Sequence, residues 1–237
     1  MVYHQNVSVL YIVATPIGNL GDITHRALET FKSVDVIACE DTRRTLQLLT
    51  HFGIRKPLLS CRARNEADAG AKILAVLAKG QSVAYASDAG TPALSDPGAV
   101  LVRMVREADY QVVPIPGASA FASLLSVAGC NDKTVVFEGF LSPKPGRRRS
   151  RLRELMDSGN AAIVYESPFR IVKLLSDIAE IDSERHITVG RELTKLHEEI
   201  LSGSSKDLWE DYSSREKVLG EFSVYISGKK RSISDDE

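Results

Sequence analysis

The chain is poor in the residues that would staple a fold or carry it across a membrane. Among 237 residues there are three cysteines, one tryptophan and only 6% aromatics. Cys39, Cys61 and Cys130 are odd in number and far apart, with no C-x-x-C pair, so neither a disulfide framework nor a zinc site is expected and reduced thiols are the default. No apolar run approaches the ~20 residues a membrane helix needs. The stretch Val9-Leu10-Tyr11-Ile12-Val13-Ala14 lacks a cationic lead and halts at Pro16, which makes it a strand rather than a secretion signal. Net charge is −1, so the molecule as a whole has no general attraction for nucleic acid; such binding has to come from local clusters.

What is present is ordinary globular material, 43% hydrophobic and 26% charged, arranged in alternation. Apolar, β-branched runs at residues 9–14, 34–39, 82–87 and 111–115 read as buried parallel strands. Between them residues 24–31, 42–52, 65–79 and 96–108 have helical spacing, several opened by Thr, Asn or Asp. The pattern changes near Pro114-Ile115-Pro116-Gly117, followed by a helix at 118–127. Strands are then expected at 134–137, 161–165, 186–189 and 221–227, with helices at 149–156 and 169–181. The expected organisation is an α/β fold in two domains. Residues 1–117 form an N-terminal parallel-sheet domain, residues 118–228 a C-terminal mixed-sheet domain, and residues 229–237 a disordered tail.

Four presumed strands run into loops of Pro, Gly and small residues: Thr15-Pro16-Ile17-Gly18-Asn19, Ser87-Asp88-Ala89-Gly90-Thr91-Pro92, Pro116-Gly117-Ala118-Ser119-Ala120 and Glu166-Ser167-Pro168. Ligands of open α/β sheets bind outside the carboxyl ends of strands, where small residues let backbone approach closely. Any one such loop is also an ordinary tight turn; their repetition argues for a shared cleft. The glycines do not spell G-x-G-x-x-G or a phosphate-binding G-x-x-x-x-G-K-[ST]. No G-x-S-x-G, H-E-x-x-H or zinc-deaminase signature is present either.

Charged residues cluster in several places. Glu40-Asp41-Thr42-Arg43-Arg44 follows a strand directly, and Gly190-Arg191-Glu192-Leu193-Thr194-Lys195 repeats that design. Each reads either as capping groups with surface ion pairs or as the polar wall of a site. Two basic clusters, Arg147-Arg148-Arg149 with Arg151 and Arg153, and the more scattered Arg43-Arg44 with Arg55, Lys56, Arg62 and Arg64, each offer phosphate contacts or a solvated helix face.

Taken in order, these segments resemble the tetrapyrrole-methylase superfamily and, within it, the 2′-O-cytidine methyltransferases of small-subunit (16S) ribosomal RNA. The resemblance runs over nearly the whole chain. It is carried by Thr15-Pro16-Ile17-Gly18-Asn19-Leu20, Glu40-Asp41-Thr42-Arg43, Ser87 to Pro92 with Ser95-Asp96-Pro97-Gly98, Pro116 to Ala120, Gly139-Phe140-Leu141, Tyr165-Glu166-Ser167-Pro168, Arg191 to Lys195 and Gly220-Glu221-Phe222.

The resemblance implies S-adenosyl-L-methionine in a cleft between two α/β domains, and a methyl group delivered to a cytidine ribose near the ribosomal decoding centre by a cytoplasmic homodimer. Cofactor contacts are implied for Pro16, Gly18, Asp88, Ala89, Gly90, Thr91, Leu94, Ser119, Ala120, Glu166 and Leu193. Where the family carries Tyr-His-Glu-His-Asn this chain has Cys61-Arg62-Ala63-Arg64-Asn65, and Phe169 stands in place of a histidine. No metal is implied.

A ribose hydroxyl needs a base as its proton leaves, and a carboxylate or a lysine of lowered pKa would serve. Lys195, Glu40 and Asp41 are the expected catalytic residues, with Asp88 a further candidate base. Arg43, Arg62, Arg64, Arg147, Arg148, Arg149 and Arg191 are the expected RNA contacts. The alternative is that these groups pair with one another structurally. Methylation of a tetrapyrrole carbon, or a non-catalytic role in ribosome assembly, are the competing functions.

Overall fold

Residues alternate sides along a strand, so a strand covered on both faces must be apolar throughout. β1 (Val9–Val13) and β4 (Val83–Ala86) meet that condition. In the computed structural model, which describes residues 8–129 and 131–229, the chain divides into two compact units after Ser119. In the first unit β1 and β4 are central in a sheet of order β3-β2-β4-β1-β5, completed by β2 (Val36–Cys39), β3 (Leu58–Ser60) and β5 (Gln111–Ile115). All its pairings are parallel.

Right-handed crossovers fix which helix covers which face. α1 (His25–Ser33) and α2 (Thr42–His51) lie on one side, where Ala27, Phe31 and Leu49 pack with Val13, Ile37, Ala84 and Ile115. α3 (Glu66–Leu77) and α4 (Ala99–Glu107) lie on the other, where Ile73, Leu77, Leu101 and Val105 meet Leu10, Ala38, Val83 and Tyr85. Thr24 caps α1 by accepting from the Ala27 N–H at 3.1 Å, and Asp41 caps α2 by accepting from the Arg43 N–H at 2.9 Å. The expected helix at 96–108 starts only at Ala99, because Pro97 and Gly98, with φ of 131°, keep the preceding turn out of helical geometry. Its start is capped from a distance: the buried Glu66 carboxylate accepts from the N–H groups of Gly98 and Leu101 at 3.0 and 2.9 Å.

The second unit holds a mixed sheet of order β6-β7-β10-β8-β9. Its strands are β6 (Val135–Phe140), β7 (Ala161–Glu166), β8 (His186–Arg191), β9 (Glu199–Ser204) and β10 (Phe222–Ile226). Only β6 and β7 run parallel; β10 is antiparallel to both β7 and β8, and β9 to β8. α6 (Pro145–Asp157), α7 (Ile171–Ile181) and α8 (Ser205–Ser214) pack Leu152, Leu174, Ile178 and Tyr212 onto Val164, Val189 and Val224. α5 (Ala120–Val127) packs against β10 separately from these.

β3, β9 and α8 were not expected. α6 starts four residues before the expected 149, with Pro145 in its first turn, a position where a missing N–H costs nothing. Among the described residues no helix is long and apolar enough to cross a membrane. Of the expected tail only Lys229 is described, and Cys130 also lies outside the described residues.

Candidate functional site

Parallel strands end at one edge, so the loops after β1, β2, β4 and β5 emerge together. They are tied to each other there. The Thr15 and Gly90 backbones exchange hydrogen bonds of 2.9 and 3.0 Å, joining the loop after β1 to the loop after β4. The Thr91 hydroxyl donates to the Ala118 carbonyl at 3.1 Å, adding the loop after β5. Gly90 has φ of 75°, and a Cβ there would come within 3.2 Å of the Ile17 side chain. At Gly117 a Cβ would meet the Ala14 side chain at 3.0 Å. Both glycines permit a close approach that any other residue would spoil.

Pro16, Gly18, Ala89, Gly90, Thr91, Leu94 and Ser119 are thereby gathered at this edge. Leu94 stands between Ala93 and Ser95, both at φ of 66°, an arrangement that costs L-residues energy and is typical of functional turns. Ser119 Oγ is buried with no hydrogen-bond partner.

Asp88 does structural work as well. Its Oδ1 accepts from the Asp41 N–H at 2.9 Å and its Oδ2 pairs with Arg44 at 3.4 Å, fastening the loop after β2 to the loop after β4. Beside them opens a cavity of about 350 Å³, walled by Thr15, Pro16, Ser87 and Asp88 on the loop side and by α2 on the other.

The acids of this edge differ in character. Hydrogen bonds from Arg43, with contacts of 2.6 and 3.1 Å to its guanidinium, hold Asp41 well below the usual carboxylate range. This makes Asp41 a weaker proton acceptor than Glu40, while it caps α2 and chelates Arg43. Burial first, and the neighbouring Asp88 charge second, push Glu40 above its ordinary value, which brings it nearer to what a base at neutral pH requires. Asp96 is pushed up to about 6 by burial and then by Glu40. Asp96 is not among the residues expected at the site; its signal in the sequence is an acid just before Pro97 and Gly98 in a strand-end loop.

In the second unit Glu166 ends β7 and is buried. Its Oε1 accepts from the Ser167 N–H at 2.7 Å and pairs with Arg170 at 2.6 Å, while Oε2 has no partner. After β8 the turn at Glu192 and Thr194, with φ of 51° and 68°, presents buried Leu193 over Gly190. Thr194 Oγ1 is buried and unpartnered. With Ser119 Oγ and Glu166 Oε2 it completes the set of such side-chain atoms among the described residues. Ala120 opens α5.

Lys195 donates to Glu192 at 2.8 Å and to Glu221 at 2.9 Å. Burial would lower its pKa, but these two hydrogen bonds outweigh that and hold it above the usual lysine range. These contacts favour the ammonium form of Lys195 over the neutral amine a base would need. Glu40 and Asp41 belong to the first unit and Lys195 to the second.

The arginines separate sharply. Arg148 is buried and its Nε donates to Asp177 at 2.6 Å; Arg149 reaches the same carboxylate at 2.6 Å and also Glu180. Arg148 as an RNA contact is corrected, because its guanidinium is spent inside the unit, and Arg149 is largely committed too. Arg62 Nε donates to the Glu40 carbonyl at 3.1 Å, so the off-pattern segment braces the loop after β2. Arg191 is held by Glu199 at 3.2 Å and by the Leu219 carbonyl. Arg43, Arg64 and Arg147 remain exposed.

The comparisons with known proteins agree with this architecture. The family model described as Tetrapyrrole (Corrin/Porphyrin) Methylases matches residues 9–208. A protein of Borrelia garinii subsp. bavariensis named ribosomal RNA small subunit methyltransferase I is 47% identical over 220 residues, covering 92% of this chain and 98% of its own. Proteins of that name from Thermotoga maritima and Haemophilus influenzae are each 44% identical, covering 93% and 97% of this chain and 98% and 82% of their own. Among solved structures a cobalt precorrin-4 methyltransferase superposes with a TM-score of 0.67 at 16% identity, covering 92% of this chain and 94% of its own. A putative diphthine synthase from Entamoeba histolytica gives 0.65 at 16%, covering 95% and 94%. At such identities the structures speak for the fold alone. Sequence, sheet order and the interlocked strand-end loops lead to one assignment: the chain belongs to the tetrapyrrole (corrin/porphyrin) methylase family.

Proposed function

We propose that the chain is a methyltransferase that uses S-adenosyl-L-methionine to methylate 16S ribosomal RNA of the small subunit, at the 2′-oxygen of a cytidine ribose near the decoding centre. The observation that carries this is the knot of peptide-lined loops at Thr15, Gly90 and Ala118, in a chain whose relatives at 44–47% identity are named for small-subunit RNA methylation.

The residues fit the cofactor. An adenosine and an amino-acid zwitterion need backbone donors and acceptors at close range, which Gly90 and Gly117 open up, and an unspent hydroxyl, which Ser119 has. Pro16, Gly18, Asp88 to Thr91, Leu94 and Ser119 would hold it. In the second unit the same proposal falls on Ala120, Glu166 and Leu193, next to the unpartnered Glu166 and Thr194 oxygens. When bound, the cofactor supplies a methyl group on a sulfonium.

The chain's own task is in-line positioning and removal of one proton from the ribose hydroxyl. Glu40, raised by burial and by Asp88, is the proposed acceptor of that proton. Lys195, fixed as an ammonium between Glu192 and Glu221, orients the acceptor oxygen and stabilises negative charge as it develops. Arg43, Arg64 and Arg147 are the proposed phosphate contacts. A cytoplasmic setting accords with the buried thiols of Cys39 and Cys61, and the homodimer follows from the family resemblance.

The test is incubation of purified, unmodified small subunits with the chain and isotopically labelled S-adenosylmethionine, then nucleoside mass spectrometry. Label in 2′-O-methylcytidine is expected. Label in a base-methylated nucleoside, or none, would overturn the proposal.

A further inference from the structure

One face of α2 lines the cavity beside the loops after β1 and β4, and its single tie to the rest of the unit by a side-chain ion pair among the described residues is Arg44 to Asp88. Arg44, Gln47, Leu48 and His51 recur at the spacing that places side chains on a single helical face. All four line the cavity. Thr45, mostly buried, also borders the cavity, and Leu49 is buried in the unit.

The polar groups of this face are held back from the protein. Gln47 and His51 make no side-chain hydrogen bond among the described residues; the His51 ring makes only an edge contact with Phe52, centroids 4.8 Å apart. Arg44 is 67% exposed and reaches only Asp88, at 3.4 Å. Opposite them Leu20 stands 40% exposed at the end of the loop after β1, where the Asn19 side chain fixes the turn by accepting from the Gly21 N–H at 2.9 Å. The cavity therefore combines a guanidinium, an amide with donor and acceptor, an imidazole and two leucine side chains. Its volume of about 350 Å³ lies at the lower end of small-ligand pockets, which run from roughly 300 Å³.

We propose that this cavity seats one unstacked nucleotide of the RNA substrate. Arg44 takes the phosphate, the Gln47 amide hydrogen-bonds the edge of the base, and the base lies between the His51 ring and the leucines. The chemistry matches each part of a nucleotide in turn. A guanidinium suits phosphate oxygens, an amide pairs with the donor and acceptor of a base edge, and flat bases stack on rings and apolar surface. The cavity wall is also the wall of the cofactor loops, so the seated nucleotide is the one that carries the acceptor ribose. This rests on the proposed RNA substrate and names the residues that recognise it; Arg44 stood in a charged cluster of the sequence, whereas Gln47 and His51 carried no signal there.

The test uses the full chain and three variants, Arg44→Ala, Gln47→Ala and His51→Ala, with Arg44→Lys as a partial rescue. Binding of a fluorescent, single-stranded, cytidine-containing oligoribonucleotide is followed by anisotropy across a salt series. Cofactor affinity is measured by calorimetry, and folding by circular dichroism. Each alanine variant is expected to weaken RNA binding about tenfold while cofactor affinity stays within about twofold. Arg44→Ala should also reduce the salt slope by about 0.7, the share of one phosphate on a single strand, whereas Gln47→Ala should leave the slope unchanged. Wild-type RNA affinity in all three folded variants would overturn the proposal, and so would loss of cofactor affinity with RNA binding intact. Methylation of small subunits is scored separately. A wild-type chain that binds the oligonucleotide through these residues but methylates no subunit would remove the proposed reaction and leave the nucleotide seat standing.

Discussion

Thr15 and Gly90 face each other across two backbone hydrogen bonds, 2.9 Å from the Thr15 N–H and 3.0 Å from the Gly90 N–H, although 75 residues separate them in the chain. A miniature antiparallel pair is thus grafted onto the carboxyl edge of a parallel sheet. It closes only because Gly90 accepts φ of 75° and leaves room for Ile17.

Gly90→Ala is accordingly expected to cost about 1–2 kcal/mol from the left-handed backbone alone, with a further penalty from the 3.2 Å contact on Ile17. Cofactor affinity should fall with it. Gly80, at φ of 82° with open space around it, is the control: Gly80→Ala should lose a similar backbone increment and keep cofactor affinity. Thermal unfolding with calorimetric titration of S-adenosylmethionine separates the two, and equal cofactor affinity in both variants would refute the assignment of the Gly90 loop.

A second expectation concerns the arginine run of α6. Arg148 and Asp177 form a buried pair at 2.6 Å. Removing one partner of such a pair strands the other charge, at a cost of roughly 3–5 kcal/mol. Arg149, also 2.6 Å from Asp177, stays behind, so Arg148→Ala should lie near the lower end of that range. Urea denaturation should show the loss as a lower midpoint, and RNA affinity of the folded fraction should be unchanged. A selective loss of RNA binding would return Arg148 to the RNA surface.

How much of this was legible in the sequence depends on where the determining contacts lie. β1 and β4 were readable because burial on both faces demands an unbroken apolar run, and the loops after them because Pro and Gly mark tight backbone. β9, with Ser202, Gly203 and Ser204, carries no such mark; it is a strand because β8 offers its edge, with Thr188 and Ser202 hydroxyls 2.8 Å apart. Asp177 lies 29 residues from Arg148, so no local pattern shows that the basic run is internally neutralised. Glu40 and Asp41 are neighbours in sequence, yet their pKa values move in opposite directions. One is buried towards Asp88 and the other is chelated by Arg43, a difference that only the folded loop creates.

The pH dependence of stability follows from Asp96. Its pKa rises from 3.8 to about 6 in the fold, chiefly through burial and then through Glu40. Between those values the folded state holds a proton that the unfolded chain has released, so stability falls as pH rises from about 4 to about 6 and stays reduced above that. Asp96→Asn should remove this slope and raise stability at neutral pH by on the order of 1 kcal/mol. Denaturant midpoints measured from pH 4 to pH 8 would show it; a variant whose curve parallels the parent's would exclude Asp96 as the titrating group.

Lys195 gives the sharpest test of the chemistry. Both its carboxylate partners, Glu192 at 2.8 Å and Glu221 at 2.9 Å, stabilise the ammonium. Its folded pKa is therefore raised, and the stability it lends persists below the ordinary lysine value and is lost only as pH rises through the folded one. On the proposed mechanism a lysine held in this way fixes an oxygen rather than accepting the ribose proton. Lys195→Arg, which keeps a cation, should retain a measurable part of the methylation rate, whereas Lys195→Ala should reduce kcat at least tenfold with cofactor affinity little changed. The low-pH limb of the rate profile should persist in Lys195→Arg and vanish in Glu40→Gln, because on this reading the proton goes to Glu40. Full activity in Lys195→Ala on purified small subunits would remove the ammonium from the mechanism. A rate that keeps rising with pH as the lysine loses its proton, and a rise that disappears in Lys195→Ala, would restore it as the base.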